Sequence, residues 1–186
     1  MLHALAVTPI QRARARQARG FTLVELAVVV TIVGVLAVIA VVGYRRYVLR
    51  AKISEAQEVV SAIKIAQEDH RAERGAYANI GPTYCPAAAG VSNLKVGWDP
   101  GCSGGVATWT ALPVHVAGAV QFAYATTAGT GAFTAPDDTT WVTWGSPEPQ
   151  HWYTVLARCD LDPGGEVTML VASSFQNTIF SHNEGQ

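Results

Sequence analysis

Between Leu26 and Gly43 the chain runs for 18 residues without a charged side chain. At about 1.5 Å of rise per residue, a helix of that length crosses most of a bilayer core. One carboxylate, Glu25, stands at the head of this run. A carboxylate in hydrocarbon costs roughly 3 kcal/mol, so Glu25 calls for a partner, most simply a positive charge, or for a function. Beyond Gly43 the pattern changes. Leu49, Ile53, Ala56, Val60, Ile63 and Gln67 recur at steps of three and four, a helical stripe in which only the last member is polar. Glu55, Glu58, Glu68, Asp69, Arg71 and Glu73 fall largely off that stripe, and Gly75 supplies a helix stop. The pattern therefore predicts one helix of roughly 80 Å, a membrane-spanning stem over residues 21–44 followed by an amphipathic spine over 45–75.

The period of 3.6 then disappears. Residues 76–117 are rich in Gly, Pro and Ser with scattered aromatics, which reads as a loop region with one short strand near Thr108–Leu112. A loop of this length inside a compact domain is either exposed for function or packed as a lid. Residues 118–186 carry short runs of β-branched and aromatic residues between turn signals, predicting an antiparallel meander with strands near 119–126, 139–144, 151–159 and 166–174, then a C-terminal tail. Over 152–158 aliphatic side chains fall on both faces, so one face can pack on the helical stripe and the other on loops. Trp141, Trp144 and Trp152 are read as core or interface packing in preference to a carbohydrate platform. The fold class is α+β, a long N-terminal helix packed on a C-terminal antiparallel sheet.

Gly20, Phe21, Thr22, Leu23, Val24, Glu25 and Leu26, with Gly34 inside the apolar run and Tyr44, Tyr47 and Arg50 where the helix leaves it, resemble the processing site and stem of type IV pilins and related prepilin-like proteins. The resemblance runs from residue 19 to about 77 and then narrows to the general architecture, the lollipop of pilins. It implies that a prepilin peptidase cuts after Gly20 and that the new first residue, Phe21, is N-methylated. It also implies that Glu25 neutralises the N-terminal amine of a neighbouring subunit during assembly. Many pilins place a proline where this chain has Val42, so this helix has one fewer built-in break, which leans toward a minor subunit.

Four arginines, at 12, 14, 16 and 19, all precede the apolar run, and the positive-inside rule keeps that end in the cytoplasm. A secretory signal peptide or ordinary signal anchor is the competing reading. A cleaved signal peptide would place a small-residue site after a shorter core, whereas here Gly20 comes before it, and Ala37 and Ala40 do not make an A-x-A site. With residues 1–20 as the leader, the remaining 166 residues hold 9 basic and 14 acidic side chains, a formal charge of −5. A net acidic exported domain is no generic nucleic-acid binder. Its cations gather at Arg45, Arg46, Arg50 and Lys52, just past the apolar run, where lipid head groups or neighbouring subunits would meet them.

Three cysteines cannot all pair with one another. Cys85 and Cys102 flank the Gly- and Pro-rich loop, and a bridge between them closes a segment without regular structure, where a crosslink restricts the unfolded chain most usefully. Cys159 is then a buried thiol at a strand end; a bridge from Cys159 to either loop cysteine is the alternative. The turn Asp160–Glu166 places Asp160, Asp162 and Glu166 at alternating positions, as oxygen-ligand calcium loops do. An acidic Pro-Gly turn accounts for the same residues without an ion, and that reading is preferred. Five dispersed histidines and the absence of nucleophile, zinc or phosphate-loop motifs point away from catalysis and from any cofactor.

The sequence thus reads as a structural subunit of a type IV pilus. Its expected partners are the prepilin peptidase, other pilin subunits, the inner-membrane assembly platform and the membrane itself before assembly. It would sit in the inner membrane as a single-pass protein and then in an extracellular pilus or periplasmic pseudopilus. The alternatives are a pseudopilin of a type II secretion system and a single-span anchored binding domain that never polymerises.

Overall fold

The computed structural model describes residues 20–87, 94–145, 151–161 and 166–184. One helix, α1, runs over Leu23–Arg74, and the chain divides after Gly43 into two compact units. In the first unit, every residue from Gly20 to Gly43 is exposed. In the second, the stretch of α1 from Tyr44 onward turns one face to a core. Ile53, Ala56, Val59, Val60, Ile63, Ala66 and Gln67 are buried, the stripe expected from the spacing with Val59 and Ala66 added at its edge, while Leu49 is only partly buried. Gly75 ends the helix at a positive φ of 77°, its N–H still bonded to the Arg71 carbonyl at 2.8 Å. That backbone conformation is open to glycine at little cost.

The core partner is a five-stranded antiparallel sheet in the order β1-β4-β5-β6-β7. Its strands are β1 (Gly81–Cys85), β4 (Ala123–Gly129), β5 (Trp152–Cys159), β6 (Thr168–Ser173) and β7 (Gln176–His182). A two-residue ribbon, β2 (Val96–Gly97) with β3 (Ala119–Val120), stands apart. The register puts alternate side chains on opposite faces. Tyr124, Tyr153, Val155, Ala157, Cys159, Leu170 and Ala172 join the stripe of α1 in one cluster. On the outer face Ala125, Leu156 and Val171 pack with Val142 and the half-buried Tyr84, Trp141, Trp144 and Phe180. The expectation of a sheet packed on a helix by one face and on loops by the other holds.

Two expected strands are different elements. Residues 139–144 follow a one-turn 3₁₀ helix, Asp137–Thr139. The Thr139 hydroxyl donates to the Pro136 carbonyl at 2.6 Å, and Trp141 Nε1 donates to the Asp138 carbonyl at 3.1 Å. Local bonds of this kind compete with strand pairing, and the segment becomes a cover for the outer face, with Phe133 edge-on to Trp144 and Trp152 at 5.1 and 5.2 Å. Likewise Trp109–Ala111 is a 3₁₀ turn, and its Trp109 is buried in the main core. Conversely, the sheet has two strands that the sequence reading left in loop and tail, β1 and β7, and they form its two edges. The acidic turn between β5 and β6 is described only at Asp160, Leu161 and Glu166; Asp162 lies outside the described residues.

Gln67 is buried in the core with both ends of its amide bonded. Its amide N–H₂ donates to the Ala78 carbonyl at 2.8 Å and to Thr126 Oγ1 at 3.1 Å, and its oxygen accepts from the Ala78 N–H at 2.9 Å. The one polar member of the stripe therefore ties α1 to the chain leaving it and to β4. Cys159 is fully buried; burial pushes its thiol up to about 11, against the opposing charge of Lys52.

Gln67→Leu is expected to destabilise the protein by about 2–4 kcal/mol although it makes the core more apolar, because the Ala78 N–H and C=O lose their partners. Denaturant unfolding of the full-length protein in detergent micelles measures this. Cys159 sets a second expectation. The unfolded chain releases the thiol proton near 9.0 and the folded chain holds it to about 11, so this contribution to stability is complete below pH 9 and is lost as pH rises through that window. It amounts to at most roughly 2–3 kcal/mol. Cys159→Ala should flatten the fall in thermal midpoint between those pH values, measured against the parent protein.

Candidate processing and assembly site

The sequence-predicted site residues at the N-terminus lie where the chain enters α1. Gly20, Phe21 and Thr22 precede the helix, and a side chain at Gly20 would meet nothing within 4 Å. Phe21 is 84% exposed. Thr22 is the capping residue. Its carbonyl accepts the first helical bond from the Leu26 N–H at 3.1 Å, and its Oγ1 accepts from the Glu25 N–H at 3.2 Å. Glu25 reaches back: its Oε2 accepts from the Thr22 N–H at 2.9 Å and from the Thr22 hydroxyl at 2.8 Å. This is a capping box, in which residues three apart satisfy each other's free N–H groups at a helix start.

The carboxylate that the sequence reading assigned to a positive partner therefore has a local one. The spacing Thr22-x-x-Glu25 is itself the signal of a capping box, standing beside an apolar run that on its own calls for charge compensation. The box uses Oε2 and leaves Oε1 without a protein partner among the described residues. Further along, the Thr31 hydroxyl donates to the Ala27 carbonyl at 2.8 Å. Thr31 is thus satisfied within its own helix, as hydrocarbon surroundings demand, whereas Glu25 keeps one oxygen free for a further partner. An 18-residue window of α1 reaches a mean hydropathy of 3.0, enough by length and composition to cross a membrane. Tyr44, Arg45, Arg46, Tyr47 and Arg50 are all exposed just past it, the residue types that anchor at a membrane–water boundary.

Residues 15–41 match the model of the prokaryotic N-terminal methylation motif. The chain carries this methylation motif at its N-terminal end. A fimbrial protein of Pseudomonas aeruginosa is 48% identical over 50 residues, 27% of this chain and 32% of that protein. The type IV major pilin protein PilA of Myxococcus xanthus (strain DK1622) is 41% identical over 62 residues, 33% of this chain and 28% of its own. The type IV major fimbrial protein FimA of Dichelobacter nodosus is 35% identical over 79 residues, 42% of this chain and 46% of that protein. The chain thus matches less than half the length of these curated relatives. No solved structure matches it.

The remaining candidates belong to the second unit. Cys85 and Cys102 are joined by a disulfide, and Cys159 is the free cysteine. Among the described residues no group of three or more His, Cys, Asp or Glu could hold a metal ion; Glu166 Oε2 instead accepts from Asn183 Nδ2 at 2.7 Å.

Thr22→Ala removes the cap and its hold on Glu25, a loss of about 1 kcal/mol to the first turn. Amide hydrogen exchange over residues 23–26, in detergent micelles, should accelerate by about fivefold, while the middle of α1 is unchanged.

Proposed function

We propose that the chain is a structural subunit of a type IV pilus. The observation that carries this reading is the pairing of the methylation motif with an exposed, apolar helical stretch, up to Gly43, whose only carboxylate is held at the first turn of the helix. In this reading the prepilin peptidase cleaves between Gly20 and Phe21, and Phe21 is N-methylated. The peptide bond from Phe21 to Thr22 survives the cut, so the Thr22 N–H remains an amide and the capping box persists. Glu25 then keeps one oxygen on Thr22 and offers Oε1 to the positively charged amine of a neighbouring copy. Between lipid and protein surroundings the apolar stem gains little per unit area, so one ion pair carries disproportionate weight in setting register. The subunit waits in the inner membrane as a single-pass protein, with the leader arginines on the cytoplasmic side, and passes through the assembly platform into the filament.

Mass spectrometry of the N-terminus in sheared surface material tests the processing step. N-methylated Phe21 is expected, and it should vanish in a strain lacking the prepilin peptidase. An intact leader confined to membranes in both strains would overturn the proposal. Gly20→Leu should leave the unprocessed form. Glu25→Ala should be processed normally and still lower the filament yield about tenfold or more, as expected from losing roughly 1.4 kcal/mol or more per contact; a normal yield would remove Glu25 from assembly.

A further inference from the structure

The strand register lays Ala123, Arg158, Met169 and His182 in one row across the outer face of the sheet. Arg158 is out of place there. It sits in β5, the central strand, with its guanidinium stacked over the Tyr84 ring at 4.1 Å. Its Nε is buried without a hydrogen-bond partner, and among the described residues no carboxylate lies within ion-pair distance of it. Tyr84 offers no counter-charge: burial, helped by Asp138 and opposed by Arg158 itself, raises its hydroxyl to about 12. A half-buried guanidinium with its donors unspent asks for an acceptor from elsewhere.

Arg158 lines an open recess of about 400 Å³. Around it are the Asp138 and Glu166 carboxylates and Asn183, whose amide already donates to Glu166 Oε2. The apolar part of the wall is Val167 and Met169 with Trp141, and Trp141 is held in place by stacking on His182 at 4.7 Å and by its bond to the Asp138 carbonyl. Planar donors, planar acceptors and an aromatic wall thus converge on one small hollow. The ligand must accept from Arg158 and donate to two carboxylates. A free anion meets only the first demand and is repelled by the other two groups. A hydroxyl meets both, since each one donates and accepts, and a ring bearing several of them also presents C–H groups to an aromatic wall.

We propose that this recess binds a neutral saccharide unit, with Arg158 donating to its hydroxyl oxygens, Asp138 and Glu166 accepting from its hydroxyls, and Trp141 and Met169 packing on its C–H face. The site is independent of the pilus reading. It changes the role of Trp141 from packing alone to packing and contact.

The test uses the full-length protein in lauryl dimethylamine oxide, a detergent with no sugar head group. Methyl α-D-glucoside, methyl α-D-galactoside and N-acetyl-D-glucosamine are the probes, with sodium acetate and inorganic phosphate as competitors. Saturation-transfer NMR and tryptophan fluorescence read binding. At least one sugar is expected to bind with a dissociation constant on the order of 1 mM, and Arg158→Gln should weaken it about tenfold or more. Asp138→Asn, at an exposed position, separates the possibilities even if the arginine variant does not fold: it should weaken the sugar. Binding by none of the three sugars overturns the proposal. So does displacement of a bound sugar by acetate or phosphate that strengthens in Asp138→Asn, because that is the behaviour of an anion site.

Discussion

One helix has to satisfy two solvents, and the contact that makes this possible is the burial of its second-half stripe against the inner face of the sheet. Ile53, Ala56, Val60 and Ile63 reach complete or nearly complete burial there, while the residues up to Gly43 are apolar all round and exposed. Without the sheet, the later stretch would be a marginal helix in water, since helix propensity alone rarely sustains an isolated segment. Gln67 adds direction to this contact. Apolar stripes can slide along one another at low cost, but an amide bonded to both backbone groups of Ala78 and to Thr126 accepts one register.

The sheet is covered on both faces by different means. The inner face meets α1, and the outer face meets an irregular segment whose aromatic side chains lie edge-on around Phe133. The helix covers continuously, whereas the irregular segment leaves gaps, and the recess at Arg158 is one of them. The same difference explains where chemistry remains open. Cys159, on the inner face, is sealed and inert, while Arg158, its neighbour in sequence on the outer face, remains partly accessible.

Much of this was legible in the sequence, and the parts that were not have physical reasons. The stripe from Leu49 to Gln67, the stop at Gly75 and the strands β5 and β6 follow from periodicity, because each buries a regular face, whereas the single strand expected over 119–126 divides between β3 and β4 in two different sheets. The two edge strands do not announce themselves. β1 begins Gly-Pro and β7 is largely polar; an edge strand has one side free and needs less apolar alternation. The run Thr139–Trp144 misleads in the opposite direction, because β-branched and aromatic residues serve equally well as a cover, and Pro136 with Asp137 and Asp138 turns the backbone first. At the N-terminus the motif itself was plain, but the capping box within it was hidden by the oddity of a carboxylate beside an apolar run.

The disulfide from Cys85 to Cys102 fastens the end of β1 to the segment that begins at Ser103. The segment just after Cys102 lies along the outer edge of β1, where the Thr83 N–H donates to the Gly104 carbonyl at 2.9 Å and the Val106 and Ala107 N–H groups reach back to Ile80. The fit is so close that a side chain on Gly81 would lie 2.1 Å from the Gly104 oxygen. Pro82 in the same strand has no N–H to offer at all. One border of the sheet is therefore already spent, and a second copy cannot extend it by strand addition. Where many copies are crowded side by side, the segment fastened by the crosslink acts as insulation, leaving contacts between copies to side chains and keeping the ladder from running on between molecules along that border.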